Sequence, residues 1–391
     1  MNCPLFGRLI HLKNQKVKKQ ETYLNNPSPH IALFLPHLDM GGTERIMACL
    51  ASEFARLGFK VDFVLMKARG SYLSSLPKII RVINLQAKRH LTSIPGLIQY
   101  LRKEKPHILL SALDLTNLIA LIAKNLSLTN TRVLIRIESP VSKQKRSFIK
   151  KRVEPYLFHY IYPQAETIIS VSKEIKLDLA RYANIPQSKI CTIYNPVITT
   201  NLLQDSREPL DHPWFRENEP PVILGVGRLV EVKDFSTLLK AFALVKKKCV
   251  ARLMILGEGE ERINLESLAR QLDISKDVML PGFVSNPYNY MRKSAVFVQS
   301  SLTEGLPNVL IESLACGCPV VSTDCASGPS EILDGGKYGH LVPTSDPEAM
   351  ARAILKVLAG EKRKPPSDWL EQFTTDTVVS QYLNVMGIRS M

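Results

Sequence analysis

Residues 295–312 read AVFVQSSLTEGLPNVLIE and join an apolar strand to a helix through a short loop. The run AVFVQSS predicts a buried strand, and Gly305 allows the backbone to approach a ligand closely. Pro307 suits the first turn of a helix, whose free N–H groups and positive dipole end favour a phosphate group. Glu304 and Glu312 can accept hydrogen bonds from sugar or ribose hydroxyls. An ordinary exposed helix start with acidic residues near its positive end fits the same pattern.

The alternation of strand and helix extends outward from this stretch over the whole chain. In the first half, strands are predicted at residues 30–36, 60–66, 81–84, 107–113, 132–138, 167–172 and 190–195. In the second half, they are predicted at residues 221–227, 251–257, 278–281, 295–301 and 319–323. Because amphipathic helical segments separate these apolar runs, the pattern demands parallel sheets covered on both faces. The predicted fold class is α/β, with two Rossmann-like, doubly wound domains that face each other across a cleft.

The length of 391 residues exceeds what one hydrophobic core usually serves, so two domains are expected. The predicted division is a basic tail at 1–29, an N-terminal domain at 30–200, a linker at 201–220, a C-terminal domain at 221–365, and a C-terminal helical segment at 366–391 that returns to the first domain. The linker prediction rests on prolines, acidic residues and lost periodicity in that stretch.

The net charge of +15 has its positive part in the first half of the chain, where residues 1–200 contain 30 Lys and Arg against 12 Asp and Glu. This imbalance indicates an anionic partner, either nucleic acid or an acidic membrane surface. The densest basic cluster comprises Lys143, Lys145, Arg146, Lys150, Lys151 and Arg152. The apolar residues at helical spacing beside it are Ile149, Val153, Tyr156, Leu157, Tyr160 and Ile161. A membrane contact and a solvated helix face over core contacts both fit this arrangement.

Seven cysteines, an odd number without a secretory framework, indicate reduced thiols in a cytosolic protein. Their spacing matches no zinc site, and no metal is expected. No apolar run reaches the roughly 18 residues that a bilayer-spanning helix needs. The expected location is the cytoplasm or the cytoplasmic face of the inner membrane.

Loops at the predicted carboxyl edges of both sheets contain groups that suit phosphate. Gly41 and Gly42 follow the first strand, and Gly227 begins a loop that contains Arg228 and Lys233. Arginine can hold a diphosphate through paired donors, and lysine adds a point charge. Neither domain contains a complete dinucleotide fingerprint, which weakens the prediction of a nicotinamide-dependent oxidoreductase.

The second half resembles a known family, the retaining, nucleotide-sugar-dependent glycosyltransferases of family 4, which have the two-domain GT-B architecture. The matching segments are VGRLVEVKDFSTLLKAF at 226–242, LMILGEGEER at 253–262, VMLPGF at 278–283, and SSLTEGLPNVLIESLACGCPVVSTDCASGPSEIL at 300–333. The likeness extends over roughly residues 30–360. The two glutamates of the family motif are present with seven residues between them.

The resemblance implies a role for each matching residue. Arg228 and Lys233 would grip the donor diphosphate, and Glu304 would bind the donor sugar near its reacting face. The remaining donor-binding positions would be Gly41, Gly42, Gly227, Phe283 for the base, the amides of Gly305, Leu306 and Asn308, and Glu312 for the ribose.

One departure concerns a histidine that many relatives have near the donor sugar, just after the strand that here covers residues 132–138. This chain has none there. Glu138, Ser139 or Asp114 is the candidate substitute. Asp114 also has a simpler interpretation as a cap of the following helix. We group Asp114 and Glu138 with the basic cluster as the acceptor or membrane side.

The implied activity is metal-independent, retaining transfer of a hexose or N-acetylhexosamine from a nucleotide-diphosphate sugar, with UDP favoured, to a glycan or lipid-linked acceptor in surface polysaccharide biosynthesis. No cofactor and no nucleic-acid partner are expected. Two alternatives remain open. One is a nucleotide-sugar epimerase or phosphorylase of the same two-lobed fold, and the other is a basic nucleic-acid-binding protein. The aromatic residues near the basic cluster resemble helix core rather than stacking platforms, which disfavours the latter.

Overall fold

The computed structural model describes residues 29–39, 41–144 and 148–388, with only the backbone of residues 148–151. The described residues form two compact units. The first unit contains the chain up to Pro196 together with the part that starts at Thr375, and the second unit contains Val197–Thr374. Each unit has its own parallel sheet.

The first unit is built on a seven-stranded sheet in the order β3-β2-β1-β4-β5-β6-β7, with every strand pair parallel. The strands are β1 (His30–Leu35), β2 (Lys60–Leu65), β3 (Arg81–Asn84), β4 (Ile108–Ala112), β5 (Arg132–Ile137), β6 (Thr167–Ser170) and β7 (Ile190–Thr192). Strands β1 and β4 are buried along their whole length, as expected for a sheet covered on both faces. The helices of this unit before Pro196 are α1 (Gly42–Arg56), α2 (Ile94–Glu104), α3 (Asp114–Ser127), α4 (Phe148–Ile161) and α5 (Lys173–Tyr182).

The second unit is built on a six-stranded parallel sheet in the order β10-β9-β8-β11-β12-β13. The strands are β8 (Val222–Val226), β9 (Arg252–Leu256), β10 (Val278–Gly282), β11 (Val296–Gln299), β12 (Val320–Thr323) and β13 (His340–Val342). The helices are α6 (Thr200–Asp205), α7 (Phe235–Lys246), α8 (Arg262–Gln271), α9 (Tyr288–Lys293), α10 (Asn308–Ala315), α11 (Pro329–Ile332), α12 (Pro347–Leu358) and α13 (Ser367–Glu371). The predicted strands are all present with ends shifted by a few residues. Strand β13 was not predicted because its sequence, HLV, contains only two apolar residues and is followed at once by Pro343.

Residues 201–220 differ from the predicted linker because they fold as part of the second unit. Helix α6 occupies the start of this stretch, and the Asn286 side chain donates hydrogen bonds to the Asp205 carbonyl and to Glu208, both at 2.9 Å. The Phe215 ring packs edge-on against Tyr290 with centroids 5.6 Å apart. The prolines interrupt the helical pattern, but the aromatic residues still provide apolar surface that packs on the unit.

A last helix, α14 (Thr375–Val385), belongs to the first unit. The ring of Tyr382 is fully buried and meets Phe54 of α1 edge-on at 6.4 Å. Arg132, at the start of β5, donates a 2.7 Å hydrogen bond to the Met386 carbonyl just after this helix. The core of the first unit therefore includes residues from the far end of the chain.

Candidate functional site

The carboxyl edge of the second unit's sheet brings together an ion pair from two loops that are far apart in sequence. Lys233 lies in the loop after β8 and Glu304 in the loop after β11, and the Lys233 Nζ atom is 2.5 Å from Glu304 Oε1. The side chains are 21% and 13% exposed, so the pair is largely shielded from water but still reachable. Ser301 Oγ donates to the same carboxylate oxygen at 2.7 Å.

Hydrogen bonds between backbone and side chains hold these two loops in register. Ser300 Oγ donates to the Lys233 carbonyl at 2.7 Å, and the Leu302 amide donates to the Val232 carbonyl at 2.9 Å. Thr323, at the end of β12, donates from its hydroxyl to the Ser301 carbonyl at 2.7 Å. These hydrogen bonds between neighbouring strand ends and loops hold the ion pair in position.

Arg228 lies on the same loop as Lys233, and its side chain is exposed. A Cβ atom at Gly227 would come within 3.7 Å of the Lys233 stem, which passes directly over this glycine. Within the part of the chain that the structure describes, Arg228 forms no ion pair. Its guanidinium therefore remains available to an anion, beside a lysine that is already paired with Glu304.

The two glycines after β9 are explained by close contact between loops. A Cβ atom at Gly257 would lie 1.9 Å from the Gly227 carbonyl oxygen, and one at Gly259 would lie 2.2 Å from that of Leu229. The Leu229 amide donates to the Glu258 carbonyl at 2.8 Å across this contact. These glycines position the loop that contains Arg228.

The turn between Glu304 and α10 is fixed by residues after β12 that the sequence reasoning missed. Ser327 Oγ donates to the Gly305 carbonyl at 2.7 Å, and a Cβ atom at Gly328 would lie 2.4 Å from the Pro307 ring. Pro307 is the N-cap of α10 and supplies no capping side chain, so it precedes the first helical turn rather than occupying it. Helix N-termini have N–H groups without intrahelical partners, and this one follows Glu304 directly. The small-residue stretch 326–328 was the only sequence signal for this support.

The other predicted donor-binding residues of this unit differ in accessibility. Gly305 and Leu306 are buried, and Asn308 is half-buried at the helix start. Glu312 is only 2% exposed, which leaves little of its carboxylate accessible, whereas the Phe283 ring after β10 is 64% exposed. The roles predicted for these residues in binding the donor stay predictions.

Cys325 is a second neighbour of the ion pair that the sequence reasoning missed. Burial and, to a smaller extent, the nearby Glu304 carboxylate raise the pKa of its thiol to about 12, although Lys233 acts in the opposite direction. The thiol therefore stays protonated at neutral pH. It contributes packing beside the pair rather than a nucleophile.

In the first unit, the predicted glycine loop precedes α1, with Gly41 as N-cap and Gly42 as the first helical residue. A Cβ atom at Gly41 would lie 1.9 Å from Glu44 Oε2, so the Glu44 carboxylate folds back over the start of its own helix. His37 Nδ1 is 4.0 Å from the other Glu44 oxygen. The helix start that was expected to favour phosphate thus already faces a carboxylate from its own first turn.

Glu138 follows β5 in a buried polar cluster of the first unit. Its Oε1 atom is 3.2 Å from Nη1 of Arg136, whose side chain is fully buried. Nη2 of Arg136 donates to Asn195. Burial raises the pKa of Glu138, the Arg136 charge opposes this increase, and Glu44 and Asp114 reinforce it. A carboxyl group with a raised pKa beside a sheet edge is typical of a functional position, although buried structural pairs show it too.

Asp114 is the first residue of α3, and the prediction that it caps this helix is wrong. The N-cap is Leu113, which has a positive φ of 75° and supplies no side-chain cap. The Asp114 carboxylate instead accepts a 3.0 Å hydrogen bond from Gln144, which also donates to Ser139 Oγ at 3.0 Å. Asp114 therefore connects the start of α3 to the loop that precedes α4.

The basic cluster is only partly within the described residues. Lys145 and Arg146 lie outside them, and only the helical backbone is described for Lys150 and Lys151. Lys143 and Arg152 are exposed. No group of three His, Cys, Asp or Glu side chains in the described ranges could hold a metal ion.

None of the helices described here is both long and apolar enough to cross a membrane.

Comparison with protein families gives matches to both units. Residues 206–372 match the profile of glycosyl transferases group 1, and residues 40–201 match that of glycosyltransferase family 4. The chain is 30% identical over 343 residues to N-acetylgalactosamine-N,N'-diacetylbacillosaminyl-diphospho-undecaprenol 4-alpha-N-acetylgalactosaminyltransferase of Campylobacter jejuni, an alignment that covers 85% of this chain and 91% of that protein.

Solved structures resemble the fold over nearly the whole chain. The lipopolysaccharide outer core galactosyltransferase WaaB has a TM-score of 0.70 at 19% identity and covers 92% of this chain and 99% of its own. The Anabaena protein HepE in complex with UDP has a TM-score of 0.71 at 17% identity and covers 92% of this chain and 97% of its own. At these identities the likeness shows the fold alone, and that fold is GT-B, as the sequence predicted.

Proposed function

The chain belongs to glycosyltransferase family 4, and on this premise we propose that it transfers a hexose or N-acetylhexosamine, with retention, from a UDP-sugar to a lipid-linked or surface glycan acceptor. The observation that most supports this proposal is the shielded Lys233–Glu304 pair. Arg228 is exposed on the same loop as Lys233, and Glu304 lies three residues before Pro307, the N-cap of α10. A cation pair and a helix N-terminus at one sheet edge suit a diphosphate. A carboxylate next to them suits the hydroxyls of the attached sugar.

The proposed chemistry follows from the charges that develop during transfer. Cleavage of the bond between the anomeric carbon and the phosphate oxygen leaves positive charge on the sugar and negative charge on the diphosphate. Arg228 and Lys233 stabilise the negative charge, and the shielding of Lys233 strengthens its effect. The acceptor hydroxyl attacks on the face that the diphosphate leaves, and its proton passes to the departing phosphate oxygen. No metal ion and no cofactor take part in this proposal.

In the proposed complex, the two carboxylate oxygens of Glu304 have different partners. Lys233 and Ser301 both donate to Oε1, so Oε2 is the oxygen offered to a donor-sugar hydroxyl. Amides of Gly305, Leu306 and Asn308 assist, as the family resemblance implies. Phe283 supports the base and Glu312 binds the ribose in this proposal, roles that come from the family resemblance.

The donor and acceptor classes rest on the relatives. The Anabaena structure contains UDP, and the Campylobacter jejuni relative is named for transfer of N-acetylgalactosamine to a diphospho-undecaprenol-linked sugar. We assign Asp114 and Glu138 of the first unit to the acceptor side. A lipid-linked acceptor implies that the enzyme works in the cytoplasm at the inner face of the membrane.

The test is a transfer assay with purified protein, UDP-, GDP- and ADP-sugars, and a diphospholipid-linked acceptor, with the product anomer determined by NMR. We expect turnover with a UDP-sugar, an α-linked product from an α-linked donor, and loss of turnover in Glu304→Ala. The matched control is Lys246→Ala, which removes a half-buried ion pair to Asp277 (2.7 Å) at the C-terminal end of α7, the helix that follows the Lys233 loop. Its turnover should equal that of the wild type.

Three outcomes contradict the proposal. Full activity of Glu304→Ala contradicts the site, and an inverted product contradicts the stereochemistry. Release of an altered nucleotide-sugar without any acceptor indicates an epimerase instead.

A further inference from the structure

Arg136 is a charged side chain inside the hydrophobic core of the first unit. It lies two residues after Leu134 on β5, so both side chains point to the same face of the sheet. Leu134 belongs to the core that also contains Tyr382 of α14, and the Arg136 side chain is 0% exposed. A buried guanidinium loses its hydration, and only partners that accept its hydrogen bonds or neutralise its charge offset that cost. The partners of Arg136 therefore indicate its role.

Two neighbours compensate the buried guanidinium. Nη2 donates a hydrogen bond to Oδ1 of Asn195, which lies shortly after β7. Nη1 lies 3.2 Å from Oε1 of Glu138, the first residue after β5. No other Asp or Glu in the described ranges lies within ion-pair distance of Arg136. Arg136 thus connects Glu138, at the edge of the sheet, to the segment that follows β7.

The contact between Arg136 and Glu138 is an attraction between charges rather than a hydrogen bond. Within the part of the chain that the structure describes, Nε and Nη1 of Arg136 and Oε1 of Glu138 are buried atoms without a hydrogen-bond partner. The Glu138 side chain as a whole is 13% exposed, so its exposed atoms are others than Oε1. One oxygen of this carboxyl group therefore faces the arginine in the core, and Oε2 is the oxygen that a ligand could reach.

The charges around Glu138 make Arg136 decisive for its ionisation. Burial raises the pKa of Glu138, and the Arg136 charge is the main effect in the opposite direction. The carboxylates of Glu44 on α1 and Asp114 on α3 raise this pKa further, whereas a hydrogen bond with the Thr43 side chain lowers it. The titratable groups that face Glu138 are Glu44, Asp114, Arg136 and Tyr382. Without the Arg136 charge, Glu138 would ionise among carboxylates alone.

We propose that Arg136 is a positioning residue for the acceptor, because it holds the Glu138 carboxylate as the group that accepts a hydrogen bond from a hydroxyl of the acceptor sugar. This inference rests on the proposed function, which assigns Glu138 to the acceptor side, and it adds the residue that acts through Glu138. A neutral hydroxyl is the chemical class that fits. Carboxylates accept hydrogen bonds from hydroxyl donors, and the charges of Glu44 and Asp114 would repel a phosphate.

The test measures kcat and the acceptor KM of transfer from about pH 5 to about pH 9, with the UDP-sugar and the diphospholipid-linked acceptor. We expect the acceptor KM of the wild type to fall as the pH rises through the pKa of Glu138, with little change in kcat. We call this range of falling KM the acid limb. Glu138→Gln should abolish the acid limb and raise the acceptor KM roughly tenfold or more, because a hydrogen bond to a charged group is lost.

Arg136→Met removes the positioning charge and keeps an unbranched side chain in the core. An opposite charge at this distance lowers the pKa of a carboxyl group by roughly one to three units, so the acid limb should move to higher pH by about that amount. In the Glu138→Gln background, the same substitution should leave the acceptor KM unchanged, because Arg136 acts through Glu138. The conservative variant Arg136→Lys should reverse most of the shift.

A second variant addresses the case in which Arg136→Met does not fold. Asn195→Ala removes the hydrogen-bond acceptor of Nη2 and keeps the arginine charge, so it should raise the acceptor KM without moving the acid limb. The matched control is Arg132→Met on the same strand, where the arginine donates to the Met386 carbonyl at 2.7 Å and pairs with Glu166. This control should lower thermal stability and leave both the acceptor KM and the acid limb as in the wild type.

The inference is overturned if the acceptor KM of the wild type does not depend on pH, or if Glu138→Gln keeps the acid limb. It is also overturned if folded Arg136→Met loses stability without moving the acid limb, or if that variant does not fold and Asn195→Ala matches the wild type. An equal shift in Arg132→Met would show that any loosened core has this effect. Absence of all transfer by the wild type contradicts the proposed glycosyl transfer itself, whereas transfer without the acid limb contradicts only the role of Arg136.

Discussion

Replacement of Lys233 by methionine tests the central electrostatic argument, because methionine keeps the length of the side chain and removes its charge. In the proposed complex, the Nζ atom lies 2.5 Å from Glu304 and faces the diphosphate. Loss of one preorganised group that stabilises transition-state charge typically lowers kcat about 10²- to 10³-fold. Lys233→Met should lower kcat/KM by at least that factor, since the Glu304 carboxylate then lies unpaired beside the same diphosphate.

The unpaired carboxylate makes the two sites strongly coupled. With side chains 21% and 13% exposed, the pair lies between exposed and buried ion pairs, so its rupture should cost about 1–2 kcal/mol of folding free energy. Adding Glu304→Gln to Lys233→Met removes the repulsion. The double variant should therefore lose less transfer activity than the sum of the single losses, with a coupling of about 1–3 kcal/mol.

The assay is steady-state transfer from the UDP-sugar for all four members of the cycle, with thermal unfolding of each and UDP binding by calorimetry. Lys233→Arg is the conservative control and should retain UDP binding in part. The reasoning is refuted if folded Lys233→Met keeps kcat/KM within about threefold of the wild type, or if the two substitutions are strictly additive.

Two further substitutions test the supports of each unit. Gly257→Ala should lower the free energy of unfolding by at least about 2 kcal/mol, because its φ is +144° and its Cβ would lie 1.9 Å from the Gly227 carbonyl oxygen. The control is Gly317→Ala, which has a φ of +80° with open space around the Cβ and should cost only about 1 kcal/mol. Both costs are measured by denaturant titration, and equal values would contradict the packing argument. Glu138→Gln should gain thermal stability relative to the wild type as the pH rises from about 4 to 8. The pKa of Glu138 is raised in the folded state, so above the pKa of the unfolded state its ionisation progressively destabilises the wild type, whereas glutamine does not ionise. A difference in unfolding midpoint that moves in the opposite direction with pH would contradict the raised pKa.

The fold was largely predictable because fully buried parallel strands appear as continuous apolar runs. Strands β1 and β8 are such runs, and each is followed by a loop and an amphipathic helix. The exception was β13, whose sequence HLV contains only two apolar residues before Pro343, whereas the equally short β7 lies in a longer apolar run. The stretch 201–220 also failed as a linker, because its packing depends on single aromatic contacts such as Phe215–Tyr290 that no periodicity shows.

The sequence suggested candidate site residues by their chemical type, but it did not show which of them touch. Glu304 and Lys233 are 71 positions apart, so their 2.5 Å contact depends on strand order, which the sequence does not state. The support from Ser327 and Gly328 was invisible for a similar reason, since it arises where a third loop reaches the same edge. The Glu44 carboxylate lies over Gly41, only three residues away in the chain. This contact was not predicted because the sequence does not show in which direction the Glu44 side chain points.

The return of α14 to the first unit has a consequence for biosynthesis. A ribosome releases the strands β1 to β7 long before Tyr382, yet the buried Tyr382 ring completes the core around Phe54. The core of the nascent first unit therefore stays incomplete, with an apolar groove uncovered, until the whole second unit has been synthesised. Loss of the chain from Thr375 onward would leave that groove permanently open and expose the newly made polypeptide to aggregation or to chaperone capture.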